Sequence, residues 1–228
     1  MGGAVVDALE EADGFRVAAI VDARSETPPA ADVFVDFTLP GATPAIAALA
    51  VERSRGLVVG TTGLTPIDER ALLDASERIP VLASPNMSIG VNLLYELARL
   101  TAGVLEGAEI EILDLHHRHK VDAPSGTARE LVRVIQEERG AEGGVRYGRE
   151  GRVGERRRDE IAVHAIRAGE IVGEHTVLFA TDGERVELTH RAADRRAFAA
   201  GTLHAIRFVS GRSTGFYRMR DALSLGVD

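Results

Sequence analysis

The sequence predicts an α/β protein: a domain with a parallel sheet is followed by a second, α+β domain with an open mixed sheet. In the first part of the chain, short apolar segments alternate with helical segments, a pattern typical of a parallel sheet covered by helices on both faces. In the second half, strand-like segments follow one another directly. All eight prolines lie at or before Pro124, so none interrupts these later strands.

The first domain begins with a helical segment at residues 2–12, whose apolar side chains form one stripe. Apolar runs predict buried strands at 15–21, 33–37, 57–60 and 80–83, separated by helices at 40–53 and 66–78. Ligands of parallel sheets bind beyond the carboxyl ends of the strands. The residues expected there are Asp22, Thr38, the turn Gly60-Thr61-Thr62 and the segment Ser84-Pro85-Asn86-Met87.

The second domain is predicted to open with a helix at residues 87–104. Predicted strands follow at 109–119, 161–167, 174–180 and 185–190, and a helix at 195–210. Residues 143–158 have the composition of a loop, in which the run Arg156-Arg157-Arg158 is expected to be solvated. Because an open sheet has edges and faces that need covering, we expect the protein to oligomerise.

One short stretch concentrates the chemistry of the second domain. Three of the seven histidines lie within four residues there, and Lys120 is the only lysine beside 26 arginines. Arginine stays protonated, whereas a lysine amine can be tuned to release a proton. If the preceding strand continues, His116, Arg118 and Lys120 share one face of it. His117 and His119 then share the other face.

The end of this stretch predicts a helix after a turn that contains Pro124. Thr127, with Glu130 three residues later, has the pattern of a capping box. The backbone N–H groups of Ser125, Gly126 and Thr127 would lie at the start of the helix, where a carboxylate or phosphate binds favourably. The glycine lets a ligand approach the backbone closely.

Two other interpretations of the stretch are open. It could be the solvated basic end of a strand, without a chemical role. His117 and His119 could bind a metal ion, but the chain has no cysteine and no HExxH motif. The neighbouring Arg118 and Lys120 would also repel a cation. We therefore predict no metal site.

Composition excludes several classes of protein. The 228 residues are 45% hydrophobic and 27% charged, which is ordinary for a globular protein. A net charge of −8 argues against nucleic acid as a partner. No apolar run approaches the roughly 18 residues of a membrane span, so no membrane partner is expected. The start of the chain has no basic region and predicts no signal peptide. The absence of cysteine fits a reducing compartment, and we expect a cytoplasmic protein.

The run His-His-Arg-His-Lys-Val-Asp-Ala-Pro-Ser-Gly-Thr-Ala at residues 116–128 resembles the signature of the dihydrodipicolinate reductases. These enzymes, also called 4-hydroxy-tetrahydrodipicolinate reductases, belong to the diaminopimelate and lysine pathway. A run of this length is highly specific. Other blocks resemble the family in the expected order, at residues 35–38, 60–63, 85–92, 149–151, 154–156 and 167–176.

The resemblance implies that a cyclic, unsaturated dicarboxylate is reduced by hydride transfer from NADH or NADPH. His116 and Lys120 match the catalytic positions, and His117, Gly126 and Thr127 match the substrate-binding positions. The implied cofactor contacts are Asp22, Gly60, Thr61, Thr62, Ser84, Pro85, Asn86 and Met87. Asp22 has the position of the residue that binds the adenosine ribose, which disfavours a 2′-phosphate. The nearby Arg24 can compensate, so both cofactors remain open.

The resemblance also implies a domain organisation. Residues 1–86 and 196–228 would form a Rossmann-like dinucleotide-binding domain, and residues 87–195 a domain for substrate binding and oligomerisation. Family members are homotetramers built through the sheet of this second domain, and we expect the same assembly here.

One departure from the family concerns the start of the sequence. The family begins with a strand and a glycine-rich loop that ends in Met-Gly, and this sequence begins at Met1-Gly2. The first strand and most of the phosphate cradle therefore have no counterpart in this sequence. Either the sequence starts at an internal methionine of a longer protein, or the cofactor domain is damaged; for the chain as written we expect unpaired strand edges and weak cofactor affinity. The alternative function is that of a non-catalytic, dicarboxylate-binding relative that has lost cofactor binding.

Overall fold

The computed structural model describes residues 2–21, 29–140 and 144–225. The chain divides into two compact units. Unit 1 consists of the described residues of Met1–Ile89 and Arg195–Asp228, and unit 2 of those of Gly90–Asp194. Every helix in the described ranges is too short or too polar to cross a membrane.

Unit 1 contains a parallel sheet whose four described strands have the order β1-β2-β3-β9. The strands are β1 (Val33–Asp36), β2 (Gly56–Val59), β3 (Pro80–Ala83) and β9 (Gly215–Tyr217). The helices are α1 (Gly2–Glu11), α2 (Thr43–Glu52), α3 (Pro66–Ser76), α6 (Arg196–Ser210) and α7 (Met219–Ala222). The predicted α/β organisation with a parallel sheet is confirmed. β9 and α7 were not predicted, because they are too short to show a clear hydrophobic period.

The central strand β2 is buried on both faces because helices cover both sides of the sheet. Leu57 and Val59 belong to a core that is shared with α2 and α3. Val58 points the other way and packs in a core with Ala205 and Val209 of α6. Successive side chains of β2 therefore point alternately into two cores, which explains why residues 57–59 are all apolar.

The strand predicted at residues 15–21 is wrong. These residues form no strand, and Ile20 and Val21 are 71% and 46% exposed. β1 pairs with β2 along one edge, and its other edge has no strand beside it in the described part of the chain. Because a strand requires backbone pairing with a neighbour, apolar character alone leaves this segment irregular. The adjacent Asp22 lies outside the described residues.

Unit 2 contains a mixed sheet whose five described strands have the order β5-β6-β4-β7-β8. The strands are β4 (Glu109–His116), β5 (Val145–Tyr147), β6 (Ile161–Arg167), β7 (Glu174–Ala180) and β8 (Arg185–Arg191). β4, β5 and β6 are parallel, and β7 and β8 pair antiparallel with their neighbours. Two helices, α4 (Ile89–Val104) and α5 (Gly126–Arg139), contribute to its core. This arrangement confirms the predicted second domain with a mixed sheet.

The core face of this sheet changes from apolar to polar along β4. Ile110 and Ile112 are fully buried in a core that includes Leu131 of α5. Because side chains alternate along a strand, the next residues on the same face are Asp114 and His116. The apolar core therefore ends in polar side chains at the carboxyl end of β4.

Local predictions for unit 2 need correction at three places. β4 ends at His116, so residues 117–120 do not continue its alternation. Ser125, and not Thr127, caps α5, since its Oγ accepts a hydrogen bond from the Ala128 N–H at 3.1 Å. The segment predicted as a loop contains the short strand β5, whose backbone pairs with β6.

Arg156, which was predicted to be solvated, is bound to the sheet. It donates hydrogen bonds to the Glu111 carboxylate and to the Glu160 carbonyl. Glu111 also accepts two hydrogen bonds from Arg149, and its Oε2 lies 2.6 Å from His164 Nε2. Burial raises the pKa of Glu111, but the hydrogen bonds from these partners more than offset burial and lower the pKa to about 2. This ionic cluster holds the loop before β6 against β4.

We expect Gly201→Ala to destabilise unit 1. A Cβ at this position of α6 would collide with the carbonyl oxygen of Met87. Overpacking typically costs about 1–3 kcal/mol, which exceeds the roughly 1 kcal/mol by which alanine favours a helix over glycine. The change is measured as a shift of the urea unfolding transition.

Gly211→Ala is the matched control, because no heavy atom lies within 4 Å of a Cβ at that position. A Gly201→Ala protein as stable as this control would contradict the close backbone approach at Met87.

Candidate functional site

The polar end of the unit 2 core is centred on Asp114, which is fully buried. Its Oδ1 lies 3.1 Å from His116 Nδ1 and 3.1 Å from His175 Nε2. Its Oδ2 accepts hydrogen bonds from the Ser125 N–H at 2.9 Å and from the Arg167 guanidinium at 3.0 Å. One carboxylate on β4 therefore contacts residues of β6 and β7 and the capping residue of α5.

The carboxyl group of Asp114 stays ionised. Burial alone would raise its pKa, because a charged form is disfavoured away from water. The contacts with His116, His175 and Ser125 outweigh burial and hold the pKa of Asp114 well below its ordinary value. A fixed negative charge is thus present inside the sheet.

His175 is the cross-strand partner of Asp114 on β7, and it is buried. Burial lowers the pKa of His175, and the opposing effect of Asp114 does not restore it, so the ring is neutral at neutral pH. Its Nε2 also lies 3.2 Å from Ser125 Oγ. Burial likewise lowers the pKa of His190, the partner of His175 on β8. The site therefore combines neutral imidazoles with an ionised carboxylate.

His116 occupies the last position of β4 and directs its Nδ1 toward Asp114. An ionised carboxylate can only accept a hydrogen bond, so this contact favours the tautomer that has its proton on Nδ1 and leaves Nε2 as the other ring nitrogen. The backbone of Gly173 lies beside this atom, since a Cβ at 173 would be 3.2 Å from His116 Nε2. The glycine keeps space next to the nitrogen that can exchange a proton.

Lys120 lies in the turn that follows β4. Its Nζ donates a hydrogen bond to Asp122 Oδ1 at 2.6 Å. Burial raises the pKa of Asp122, but Lys120 outweighs burial and lowers that pKa. Arg167, which holds Asp114, also donates to the Asp122 carbonyl at 2.7 Å. The guanidinium thus ties the Lys120 turn to the buried carboxylate.

The predicted anion site lies at the start of α5, which Ser125 caps. Gly126 is the first helical residue, and the nearest atom to a Cβ there would be the Arg129 guanidinium at 3.9 Å, so a ligand can approach this backbone. Thr127 is buried, and its side chain contacts the hydroxyl of the buried Tyr95. The helix start therefore presents backbone N–H groups to a ligand, while the Thr127 side chain packs inward.

The remaining basic residues of the stretch lie at its periphery. The Arg118 N–H donates to the Gly169 carbonyl at 3.1 Å. The side chains of Arg118 and His119 are largely exposed, 3.7 and 3.8 Å from the Glu170 carboxylate. The His117 ring is partly buried, with its centroid 6.0 Å from that of His119. These side chains lie apart from the buried carboxylate. Because β4 ends at His116, residues 117–120 do not form the two alternating strand faces that were predicted.

Sequence reasoning missed the central roles of Asp114, Arg167 and His175. The alternation of polar and apolar residues along β4 places Asp114 on the core face of the strand. A carboxylate there needs hydrogen-bond partners, and this was the one signal in the sequence. Those partners could not be named, because Arg167 lies 53 residues further along the chain and reaches Asp114 only through the register of β4 with β6.

The Asp114 cluster also has the residue types of a metal site. Ligand atoms of Asp114, His116 and His175 lie within 4.8 Å of one another. However, Arg167 places a permanent positive charge 3.0 Å from the second oxygen of Asp114, which opposes a cation. The contacts among the three side chains have the distances of a hydrogen-bonded network. The sequence-based prediction of no metal site stays a prediction.

In unit 1, a second buried carboxylate organises the ends of the parallel strands. Asp36 is the last residue of β1 and is fully buried. Its Oδ1 accepts hydrogen bonds from the Thr38 N–H at 2.8 Å and from the Thr61 hydroxyl at 2.9 Å. Its Oδ2 accepts a hydrogen bond from the Thr43 hydroxyl at 2.9 Å. The side chain of Thr61 is thus engaged inside the protein, and a ligand beside it would meet the backbone.

The other predicted cofactor residues lie in the same two loops, after β2 and β3. Gly60 packs so closely on the Phe37 ring that a Cβ would collide with it. The Ser84 hydroxyl donates to the Asn86 carbonyl at 2.7 Å, which shapes the loop after β3. The remaining predicted residues are the exposed Thr62 and Pro85 and the buried Met87.

Family models match both parts of the chain. The model described as "Dihydrodipicolinate reductase, N-terminus" matches residues 1–87, and "Dihydrodipicolinate reductase, C-terminus" matches residues 90–223. A curated 4-hydroxy-tetrahydrodipicolinate reductase of Akkermansia muciniphila is 43% identical over 231 residues, which cover 99% of this chain and 94% of the relative. The reductase of Methanopyrus kandleri is 53% identical over 197 residues, 85% of this chain and 71% of the relative.

A solved structure shares the fold of the whole chain. Dipicolinate-bound dihydrodipicolinate reductase from Paenisporosarcina sp. TG-14 aligns with a TM-score of 0.77 at 23% identity, over 95% of this chain and 92% of that one. Together with the two family models and the curated relatives, this similarity covers both units. The chain belongs to the dihydrodipicolinate reductase family.

Proposed function

We propose that this chain reduces 4-hydroxy-tetrahydrodipicolinate, or its dehydrated form dihydrodipicolinate, to tetrahydrodipicolinate by hydride transfer from NADH or NADPH. This is a step of diaminopimelate and lysine biosynthesis. The observation that carries the proposal is the ionised Asp114, which contacts His116 and the start of α5 and whose partner Arg167 also binds the turn that contains Lys120. Such a site offers both proton-transfer groups and an anion-binding helix end.

The test is turnover: the purified chain should consume NADH or NADPH only when the cyclic dicarboxylate is added. A titration that follows nicotinamide fluorescence separates this function from its alternative. A dicarboxylate-binding relative without cofactor affinity would bind pyridine-2,6-dicarboxylate but would leave nicotinamide fluorescence unchanged, and that result would contradict the proposal.

The loops of unit 1 fit a nicotinamide group by their chemistry. The residues after β2 and β3 carry no ionised side chain, and the hydroxyls of Thr61 and Ser84 are already bonded within the protein. A neutral carboxamide matches such a lining of backbone amides and carbonyls. Gly60 to Thr62 and Ser84 to Met87 would hold this part of the cofactor. When bound, the cofactor supplies the hydride.

The residues of this chain supply the proton that the substrate takes up after hydride addition. Hydride addition to a conjugated imine leaves an electron pair on the substrate, which a proton must neutralise. Lys120 acts as the general acid: a proton leaves its ammonium group for the substrate, and the N–H electron pair stays on Nζ. The contact with Asp122 holds that ammonium group in place before the transfer. His116 is the second group that can exchange a proton, through Nε2.

The substrate is held by its carboxylates. One carboxylate accepts hydrogen bonds from the Gly126 and Thr127 N–H groups at the start of α5, and His117 contacts the substrate from the turn after β4. The dipicolinate bound by the Paenisporosarcina enzyme is a planar dicarboxylate, which supports a dicarboxylate ligand for this chain. Asp22 remains the predicted contact for the adenosine ribose.

The assembly we propose is a homotetramer in the cytoplasm. Its contact surface is the face of the unit 2 sheet opposite α4 and α5. On that face Ile166 is 41% exposed, and Leu113, Leu115 and Leu178 are only partly buried. An open sheet face with apolar residues favours burial against another subunit. The absence of cysteine agrees with a reducing compartment.

Lys120→Ala should abolish turnover while the fold stays intact. Removal of a general acid typically lowers the rate by about 10² to 10⁴, and Lys120 lies on a turn outside the apolar core. The measurement is kcat together with the circular dichroism spectrum. Arg118→Ala is the matched control, since that side chain is largely exposed and lies near Glu170. A Lys120→Ala enzyme with near-normal kcat would remove Lys120 from the mechanism.

Gly126→Pro should weaken the binding of pyridine-2,6-dicarboxylate by roughly tenfold, because it deletes one N–H donor to a charged group. Proline is tolerated at the first position of a helix. The preceding Ser125, at φ −66° and ψ 163°, already has the conformation that proline requires of its neighbour. Isothermal titration gives the Kd of each protein.

Gly126→Ala is the control for this experiment, because it keeps the N–H and adds a Cβ whose nearest neighbour would be the Arg129 guanidinium at 3.9 Å. Equal Kd values for the proline and alanine variants would show that the Gly126 N–H does not bind the carboxylate. A structure with the ligand away from the Ser125–Thr127 amides would have the same meaning.

A further inference from the structure

We infer that Asp114 is a positioning residue that couples the orientation of His116 to the carboxylate-binding start of α5. The inference rests on the proposed function, because it takes His116 as a proton-transfer group and α5 as the anion site. Asp114 itself touches neither substrate nor cofactor. It acts through the residues that its two carboxylate oxygens hold.

The two oxygens of Asp114 have different tasks. Oδ1 lies 3.1 Å from both His116 Nδ1 and His175 Nε2. Oδ2 accepts hydrogen bonds from the Ser125 N–H and the Arg167 guanidinium. The carboxylate is fully buried, so water cannot replace any of these partners without a cavity. The histidines at Oδ1 and the start of α5 at Oδ2 are therefore held by the same rigid carboxylate.

The Oδ1 side determines the tautomer of His116. A carboxylate that stays ionised requires the proton on Nδ1, and this leaves Nε2 as the atom that exchanges a proton. Gly173 leaves space beside Nε2, as a Cβ there would be only 3.2 Å away. If Oδ1 were not an acceptor, its contact with His116 Nδ1 would not favour the Nδ1–H tautomer.

The Oδ2 side determines the position of the α5 start. The Ser125 N–H precedes the first helical residue, and its bond to Oδ2 at 2.9 Å anchors the backbone just before Gly126. The Ser125 hydroxyl then caps the helix through the Ala128 N–H and lies 3.2 Å from His175 Nε2. Gly126 and Thr127, whose N–H groups are assigned to the substrate carboxylate, come directly after Ser125 in the chain.

Three charged or titratable side chains contact the carboxylate: His116 on β4, Arg167 on β6 and His175 on β7. His190 on β8 and Lys120 in the turn after β4 interact electrostatically with His175. Arg167 keeps its charge at any working pH. The negative charge of Asp114 is therefore balanced whichever protonation state the imidazole of His116 has.

Asp114→Asn is the decisive variant, because asparagine has nearly the same shape but can accept hydrogen bonds through only one of its two terminal atoms. Either the histidines or the Ser125 and Arg167 donors then face an NH₂ group, and because both terminal atoms belong to one planar group, the rotation that relieves the contact on one side displaces the partners on the other side as well. We expect kcat to fall by about 10² to 10⁴ and the Kd of pyridine-2,6-dicarboxylate to rise roughly tenfold. A folded variant that keeps kcat, or changes only one of the two quantities, would overturn the coupling.

Two further variants separate the arms of the network. Gly173→Ala crowds His116 Nε2 without touching α5, so kcat should fall while the Kd of pyridine-2,6-dicarboxylate stays within about twofold. Gly126→Pro should raise that Kd while the tautomer of His116 stays unchanged. If Gly173→Ala raised the Kd as much as Asp114→Asn does, the effect of Asp114 would not be specific, and the inference would fail.

The tautomer can be measured without turnover and without a change at Asp114. Long-range ¹H–¹⁵N correlation spectra of the ¹⁵N-labelled protein distinguish an Nδ1–H from an Nε2–H imidazole, and a spectrum of His116→Gln assigns the signal. The inference requires Nδ1–H in the wild-type protein, and Nε2–H would overturn it even if Asp114→Asn failed to fold. Absent turnover of the wild-type protein would instead contradict the proposed function.

Discussion

A carboxylate that is buried and must remain ionised is the constraint on which unit 2 depends. Asp114 lies on the core face of β4, where its neighbours on the strand are fully buried isoleucines. A lone charge there would be strongly disfavoured, so the fold has to bring donors to it. They come from the cap of α5 and from two neighbouring strands. The cluster is thus a consequence of satisfying one buried charge, and the same contacts hold the candidate residue His116 and the start of α5.

Unit 1 uses a related arrangement for a different purpose. Asp36 ends β1 in a buried position and accepts hydrogen bonds from hydroxyl and amide groups of the following loops. The loops after β1 and β2 are therefore tied together at the carboxyl edge of the sheet, where ligands of parallel sheets bind. In both units a buried aspartate lies at or near the carboxyl end of a strand, and candidate ligand-binding residues lie next to it. In unit 1, however, the hydroxyls of Thr43 and Thr61 already donate hydrogen bonds to Asp36, so a ligand in these loops would meet mainly backbone groups.

The arginine content of the chain gains a structural explanation. Arg167 and Arg156 each bind both a carboxylate and backbone carbonyls, which requires a planar group with several donors. A lysine amine could not make these contacts in the same geometry. Lys120, by contrast, donates its hydrogen bond to Asp122 and lies in a turn. Arginine is therefore found where a permanent charge binds several acceptors at once.

The sequence by itself determined the family, the parallel and mixed sheets, and the candidate residues His116, Lys120 and Gly126, because a long specific run and strong periodicity are local properties. It could not decide that residues 15–21 stay irregular, since a strand depends on a neighbour that local apolar character does not provide. It also placed the cap of α5 at Thr127 instead of Ser125 and left Arg156 in solvent. The partners of Asp114 were decided only by the tertiary structure. Arg167 and His175 reach it through the register of β6 and β7 with β4, and strand register is a long-range property that no short stretch of sequence contains.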